Sequence, residues 1–205
     1  MARKLLLSCG ILASLLYTAM LVFIPLQWPA YSSASQAVSE LSAIGAPTRP
    51  LWLPFGTMYT LLVVAFGLGV WMSGANQRAL RIAGSALMTS GVLGLVWPPM
   101  HLRGAELTLT DTLHIVWTMV TLLCTLLAIG FGAAAFGKRF RAYSITTVGI
   151  FLVFGILSFL DAPKVAANLP TPFFGVWERV NIGASSLWMV VFALVLLRQK
   201  VLTAV

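Results

Sequence analysis

Acidic side chains are scarce: the 205 residues hold five, against thirteen lysines and arginines. Histidine occurs twice, at His101 and His114, and cysteine twice, at Cys9 and Cys124. Charged residues make up only 9% of the chain. Each shortage excludes something. So few charges cannot cover the surface of an ordinary soluble domain. Two cysteines make no disulfide framework, and both fall within long apolar runs, where they read as free thiols in apolar packing. There is no His-Glu-x-x-His and no cysteine–histidine cluster, so the familiar zinc patterns are absent.

What the chain has in abundance is apolar sequence. It is 60% hydrophobic, with a mean hydropathy of +0.96. Six apolar runs stand out, at about 5–26, 51–73, 82–98, 110–136, 143–160 and 176–197. Each has the length to cross a hydrocarbon layer of about 30 Å at 1.5 Å per residue, with the third and fifth near the short limit. The expected fold is all-α: a single transmembrane domain over 1–205, built as a bundle of six transmembrane helices. The first run follows Arg3 and Lys4 as a signal peptide would, but it exceeds a usual signal core and no small-residue cleavage site closes it. "LLSC" ahead of Gly10 resembles a lipoprotein box, yet Cys9 stands too near the start to follow an apolar core. The run reads as a retained helix.

The net charge of +8 follows from topology rather than from nucleic-acid binding. With the N-terminus inside, the cytoplasmic segments hold Arg3, Lys4, Arg78, Arg81, Lys138, Arg139, Arg141, Arg198 and Lys200 and no acid. The outer segments hold the other four basic residues and all five acids. That asymmetry satisfies the positive-inside rule and places both termini in the cytoplasm of a cell-membrane protein. Trp28, Tyr31, Trp52, Trp97, Phe173, Phe174 and Trp177 fall at the outer interface as an aromatic belt. "WPP" at 97–99 stops the third helix, and Gly84, Gly91 and Gly94 permit close helix packing.

The first outer loop, "SSASQAVSELSAIG", has a capping-box pattern at Ser33 and Gln36 and closes at Gly45. Wound as a helix, it sets Ala34, Ala37, Val38, Leu41 and Ile44 against Ser35, Ser39 and Ser42, with Glu40 at the edge. A short amphipathic helix is expected there.

Because acids contribute little to topology, their gathering on the outer side is a separate observation. "TDTLHIVW" opens the fourth run with Asp111 and His114 one turn apart, followed by Thr118, Thr121 and Thr125 within an arc of roughly 80°. Glu178, Asn181 and Ser185 share a face of the sixth run, with Arg179 beside them. Ser158 and Asp161 end the fifth. Three chemistries fit. Glu40, Asp111, His114 and Glu178 suit acid–base catalysis. His101, Asp111 and His114 suit a divalent metal. Arg49, Arg103 and Arg179, with Ser39, Asp161 and Asn181, suit recognition of an anionic lipid headgroup or isoprenoid diphosphate. Structural readings compete with each. Asp111 is a favourable helix cap, His114 a satisfied interior group, and Glu178 a partner for Arg49 or Arg103 that locks loops together. Glu106 and Lys164 suit solvated loops, and Asp161 a loop cap ahead of Pro163.

The stretch "SQAVSELSAIGAPTRP", the D-x-x-H opening of the fourth run and "WERVNIG" at the sixth resemble the domain-of-unknown-function 998 family of small bacterial and archaeal membrane proteins. The resemblance covers almost the whole chain and rests most on Ser39-Glu40-Leu41 leading to Gly45 and Pro47. It implies a six-span integral membrane protein without a family-wide activity, and carries over no catalytic residues. The leading functional expectation is an enzyme acting on a lipid or isoprenoid in the outer leaflet. The alternative is a non-catalytic lipid-binding, sensing or partner-stabilising protein. A proton-coupled transporter ranks third, because no span carries an ionisable residue in its cytoplasmic half. Membrane lipids are the expected partners.

Overall fold

Every apolar run folds as a helix. In the computed structural model, which describes residues 1–199, the order is α1 (Ala2–Phe23), α2 (Arg49–Ser73), α3 (Arg78–Leu95), α4 (Leu109–Ala135), α5 (Lys138–Ala166) and α6 (Phe174–Arg198). Lys200, counted above among the basic residues of the termini, lies outside the described residues. Each helix packs on its neighbours in the chain, and α6 returns to α1, so the six close into a ring. Arg3 at the start of α1 donates to Ser73 Oγ at the end of α2 (3.3 Å) and to the Gln199 carbonyl beyond α6 (3.4 Å). Those contacts define the terminal end of the ring. The opposite end, the mouth, carries the two long connections and all five acids.

Among the described residues, five helices are long and apolar enough to cross a membrane. The helix that falls short is α3. It has 18 residues and begins with Arg78 and Arg81 in its first turns, so its uncharged stretch is shorter than a bilayer core requires. It is nonetheless packed tightly on α2. A Cβ on Gly84 would lie 2.5 Å from the Trp71 backbone nitrogen and 2.6 Å from the Gly67 carbonyl oxygen. Two glycines facing each other let the backbones approach where lipid supplies no hydrophobic drive.

Polar and aromatic contacts close the rest of the ring. Ser14 of α1 donates to the Ser186 carbonyl of α6 at 3.0 Å, and Trp188 of α6 donates to Ser144 of α5 at 3.0 Å. Near the terminal end, Phe66, Phe136, Phe140 and Trp188 gather around Phe192, with ring centroids 4.6–6.1 Å away. Offset and edge-on contacts of this kind add to simple area burial.

The α1–α2 connection corrects the expectation of an amphipathic helix. It is a series of turns with one five-residue 3-10 segment, Val38–Ser42. Its capping pattern begins one residue earlier than expected, with the Ser32 N–H donating to Gln36 Oε1 at 2.8 Å. A regular helix would leave Glu40 at the edge of the polar arc; here Glu40 is fully buried, because its carboxylate has partners inside. Gly45, at φ +90°, ends the segment in a conformation that suits glycine. The fifth helix also runs further than expected, through Pro163 to Ala166, so Asp161 lies within it rather than capping a loop.

Candidate functional site

The loop from Tyr31 to Thr48 turns its apolar side chains downward. Val38 and Leu41 pack with Met20 and Ile24 near the end of α1 and with Trp52 of α2. It therefore sits over the mouth of the ring. Burying that much irregular backbone requires partners for its N–H and C=O groups. Side chains of the loop itself, of the α3–α4 connection and of the first turns of α6 and α2 supply them.

Glu40 and Arg103 form the first anchor. Arg103 Nε donates to Glu40 Oε1 at 2.7 Å, and the Ala37 N–H donates to the same oxygen at 2.9 Å. Gln36 Nε2 donates to Oε2 at 2.8 Å. The remaining guanidinium nitrogens of Arg103 reach Thr171 Oγ1 (2.6 Å) and the Ser35 carbonyl (3.0 Å). One arginine thus ties together the first outer connection, the second, and the segment before α6. The Arg103–Glu40 bond has a fork donor and a carboxylate acceptor, the strong charge-assisted kind.

The second anchor rises from the first turns of α6. Glu178 Oε2 accepts the Val38 N–H at 2.6 Å. Arg179 donates to the Ser33 carbonyl (2.7 Å) and to the Tyr31 hydroxyl (2.8 Å). Tyr31 in turn donates to the Ala37 carbonyl at 2.8 Å. Burial pushes the Tyr31 hydroxyl up to about 12, opposed by the Arg179 guanidinium that favours its anion. A third anchor lies at the start of α2, where Thr48 donates to the Leu41 carbonyl at 2.7 Å and Arg49 to the Ser42 carbonyl.

Asp111 does different work. Its Oδ1 accepts the His101 N–H (2.7 Å), and its Oδ2 accepts the Thr108 N–H (2.9 Å) and hydroxyl (2.8 Å). His101 Nδ1 lies 3.0 Å from Oδ2. Asp111 is thus a helix-start residue reaching back to Thr108, as the capping reading anticipated, and it also holds the second outer connection through His101. His114 sits one turn on and does not join that pair. Its Nδ1 lies 2.8 Å from the Pro98 carbonyl and 3.0 Å from Trp97 Nε1. An indole only donates and a carbonyl only accepts, so bare Nδ1 serves Trp97 and protonated Nδ1 serves Pro98. Among the described residues, no three His, Cys, Asp or Glu side chains are grouped as a metal site would need. His101 and Asp111 meet, and His114 turns to Trp97 and Pro98.

Other predicted residues stand apart. Asp161 pairs with Lys164 at 2.8 Å on an exposed flank of α5. Ser39 contributes only its carbonyl, to Ser42 Oγ at 2.9 Å. Asn181 Oδ1 is buried with no hydrogen-bond partner among the described residues. One turn below it, Ser185 joins Tyr59, Ser90 and Thr125 around a cavity of about 40 Å³ floored by Trp188 and Met189. Of the polar stripes expected on α4 and α6, only Thr125 and Ser185 line it. That volume suits a few water molecules, not a lipid.

Thr48 and Thr171 were not among the candidates from the sequence, and Gln36 was read there only as a helix cap. Tyr31 and Trp97 look like belt aromatics, and only the geometry reveals the Arg179 and His114 partners.

A family model described as "Protein of unknown function (DUF998)" matches residues 11–195. The chain belongs to the DUF998 family. Neither the curated proteins nor the solved structures yielded a match. DUF998 membership agrees with the resemblance carried by "SQAVSELSAIGAPTRP" and by the start of α6, and the match reaches from within α1 to within α6.

Proposed function

We propose that this DUF998 chain is a non-catalytic binding or sensing protein of the cell membrane, with both termini cytoplasmic, whose first outer loop is a latched lid. The lid gives way to a lipid or isoprenoid with an anionic headgroup, which takes over the guanidinium groups of Arg103 and Arg179. The observation that carries this reading is the use of Glu40. Three donors converge on its carboxylate, so its oxygens are taken up in holding the loop. Its partner Arg103 is the group an incoming phosphate would compete for. The +8 net charge, concentrated at the terminal end, supports the orientation.

Native mass spectrometry of protein released from a gentle membrane mimic tests the reading. A retained anionic lipid or isoprenoid in the wild type, lost in Arg103→Gln and Arg179→Gln variants that still fold, supports it. Bare protein under all conditions, with lipid turnover abolished by His101→Ala, would overturn it.

A second reading rests on the Asp111–His101 contact. A carboxylate on Nδ1 orients the imidazole and leaves Nε2 toward the surface, with the side chain 27% exposed. That is the arrangement of a positioned general base. It supports acid–base chemistry on an outer-leaflet lipid, centred on His101 rather than on His114. Loss of such turnover in folded His101→Ala, with ligand retention unchanged, would favour it over the lid.

A further inference from the structure

We infer that the terminal end of the ring carries a binding groove for an anionic glycerophospholipid, between the α4–α5 turn and the last turns of α6. The groove has a volume of about 350 Å³ and is lined by Phe136, Gly137, Lys138, Arg139, Phe140 and Val195. Its floor is apolar: Phe136 and Phe140 meet edge to face at 5.2 Å. Its rim is basic. This inference does not rest on the lid.

Three observations select an anionic lipid as occupant. First, Lys138 and Arg139 are exposed, and all five acids of the chain lie at the other end of the ring. Among the described residues, no acidic side chain stands at this rim. Second, α5 starts against the usual rule. Its first turn has no acid, and Gly137 offers no side chain to cap the free N–H groups. Cations at a helix N-terminus oppose the macrodipole, whereas a phosphate there would meet both the cations and the N–H donors. Third, the apolar floor adjoins the basic rim at the depth where α4 and α6 end. A phospholipid places its glycerol and upper acyl carbons beside its phosphate in that same order. Basic pockets between helix ends are recognised settings for anionic headgroups. A soluble anion would leave the aromatic floor unused.

The test uses the full chain in nanodiscs of phosphatidylcholine with a minor share of phosphatidylglycerol, extracted for native mass spectrometry. The wild type is expected to retain phosphatidylglycerol above its share of the bilayer. Lys138→Gln with Arg139→Gln should lower that retention by about thirtyfold, the scale set by two cations near a lipid surface. Lys4→Gln with Arg78→Gln, which removes the same charge elsewhere at this end, should leave it close to wild type. Val195→Phe keeps the charges and narrows the floor, and should also lower retention. Equal losses in the two charge variants would overturn the inference in favour of diffuse attraction. Retention that survives Lys138→Gln/Arg139→Gln would overturn it outright, and so would free phosphate competing as well as the lipid.

Discussion

Arg103 and Glu40 stand 63 residues apart in the chain, yet Nε and Oε1 meet at 2.7 Å. The contact joins the α1–α2 and α3–α4 connections across the mouth of the ring. Its carboxylate side is almost wholly buried, at 1% exposure, so removing one partner leaves a charge without compensation.

Glu40→Ala is therefore expected to cost about 3–5 kcal/mol, the range for breaking a buried pair from one side. Denaturant unfolding in detergent measures it. Because the two residues share one interaction, the Glu40→Ala/Arg103→Ala double variant should be less destabilised than the sum of the singles. Strict additivity would mean that the pair is not coupled.

Tyr31 gives the loop over the mouth a pH-dependent stability. Burial favours its neutral phenol, raising it from the ordinary value near 10 to about 12. In the folded protein the proton is held more tightly than in the unfolded chain. The resulting stabilisation is complete below pH 10 and is lost as pH rises through 12. Wild type should lose up to about 2 kcal/mol relative to Tyr31→Phe across that window. Parallel stability curves for the two proteins from pH 9 to 12 would count against the assignment.

Gly84→Val tests the α2–α3 approach. The added side chain meets the Trp71 and Gly67 backbone, which cannot rotate away. A loss of about 3 kcal/mol is expected, at the upper end of overpacking costs. Gly149→Val is the control, since nothing lies within 4 Å of a Cβ there. Thermal aggregation midpoints should fall for the first and hold for the second.

Asp111→Ala and Thr108→Ala should each cost about 1 kcal/mol as losses at one helix start, with Asp111→Ala the larger because it also frees His101. Combining them should add little to Asp111→Ala alone, since both act on one set of hydrogen bonds. Thermal unfolding of the three variants in detergent decides it.

Much of this architecture was legible in advance. Long uncharged runs specify helices because lipid offers the backbone no other partner. The gathering of acids at one end was visible from topology alone. The first outer loop was not. Its serine spacing fits an amphipathic helix, and what overrides it is the long-range pull on Glu40 from Arg103, which no local pattern contains. Tyr31 and Trp97 were hidden for a related reason: an interfacial aromatic looks the same whether it faces headgroups or hydrogen-bonds inward. His114, read from the sequence as a catalytic or metal candidate with an interior structural role as the competing reading, is buried and finds its partners in the Trp97–Pro98 turn rather than in Asp111. The third helix shows the limit of run-counting, because Arg78 and Arg81 fall inside its first turns.

The central claim is that Glu40 and Glu178 hold the first outer loop closed. Ala37 is small, 3% exposed and donates to Glu40, so Ala37→Cys in a background of Cys9→Ala and Cys124→Ala reports on closure. Its labelling rate with a membrane-impermeant maleimide, at pH 7 in intact membranes, is the most direct measurement. Slow labelling, accelerated at least tenfold by adding Glu40→Gln and Glu178→Gln, is the predicted result. A rate already as fast as that of an exposed loop cysteine, or one unchanged by removing both carboxylates, would contradict the latch.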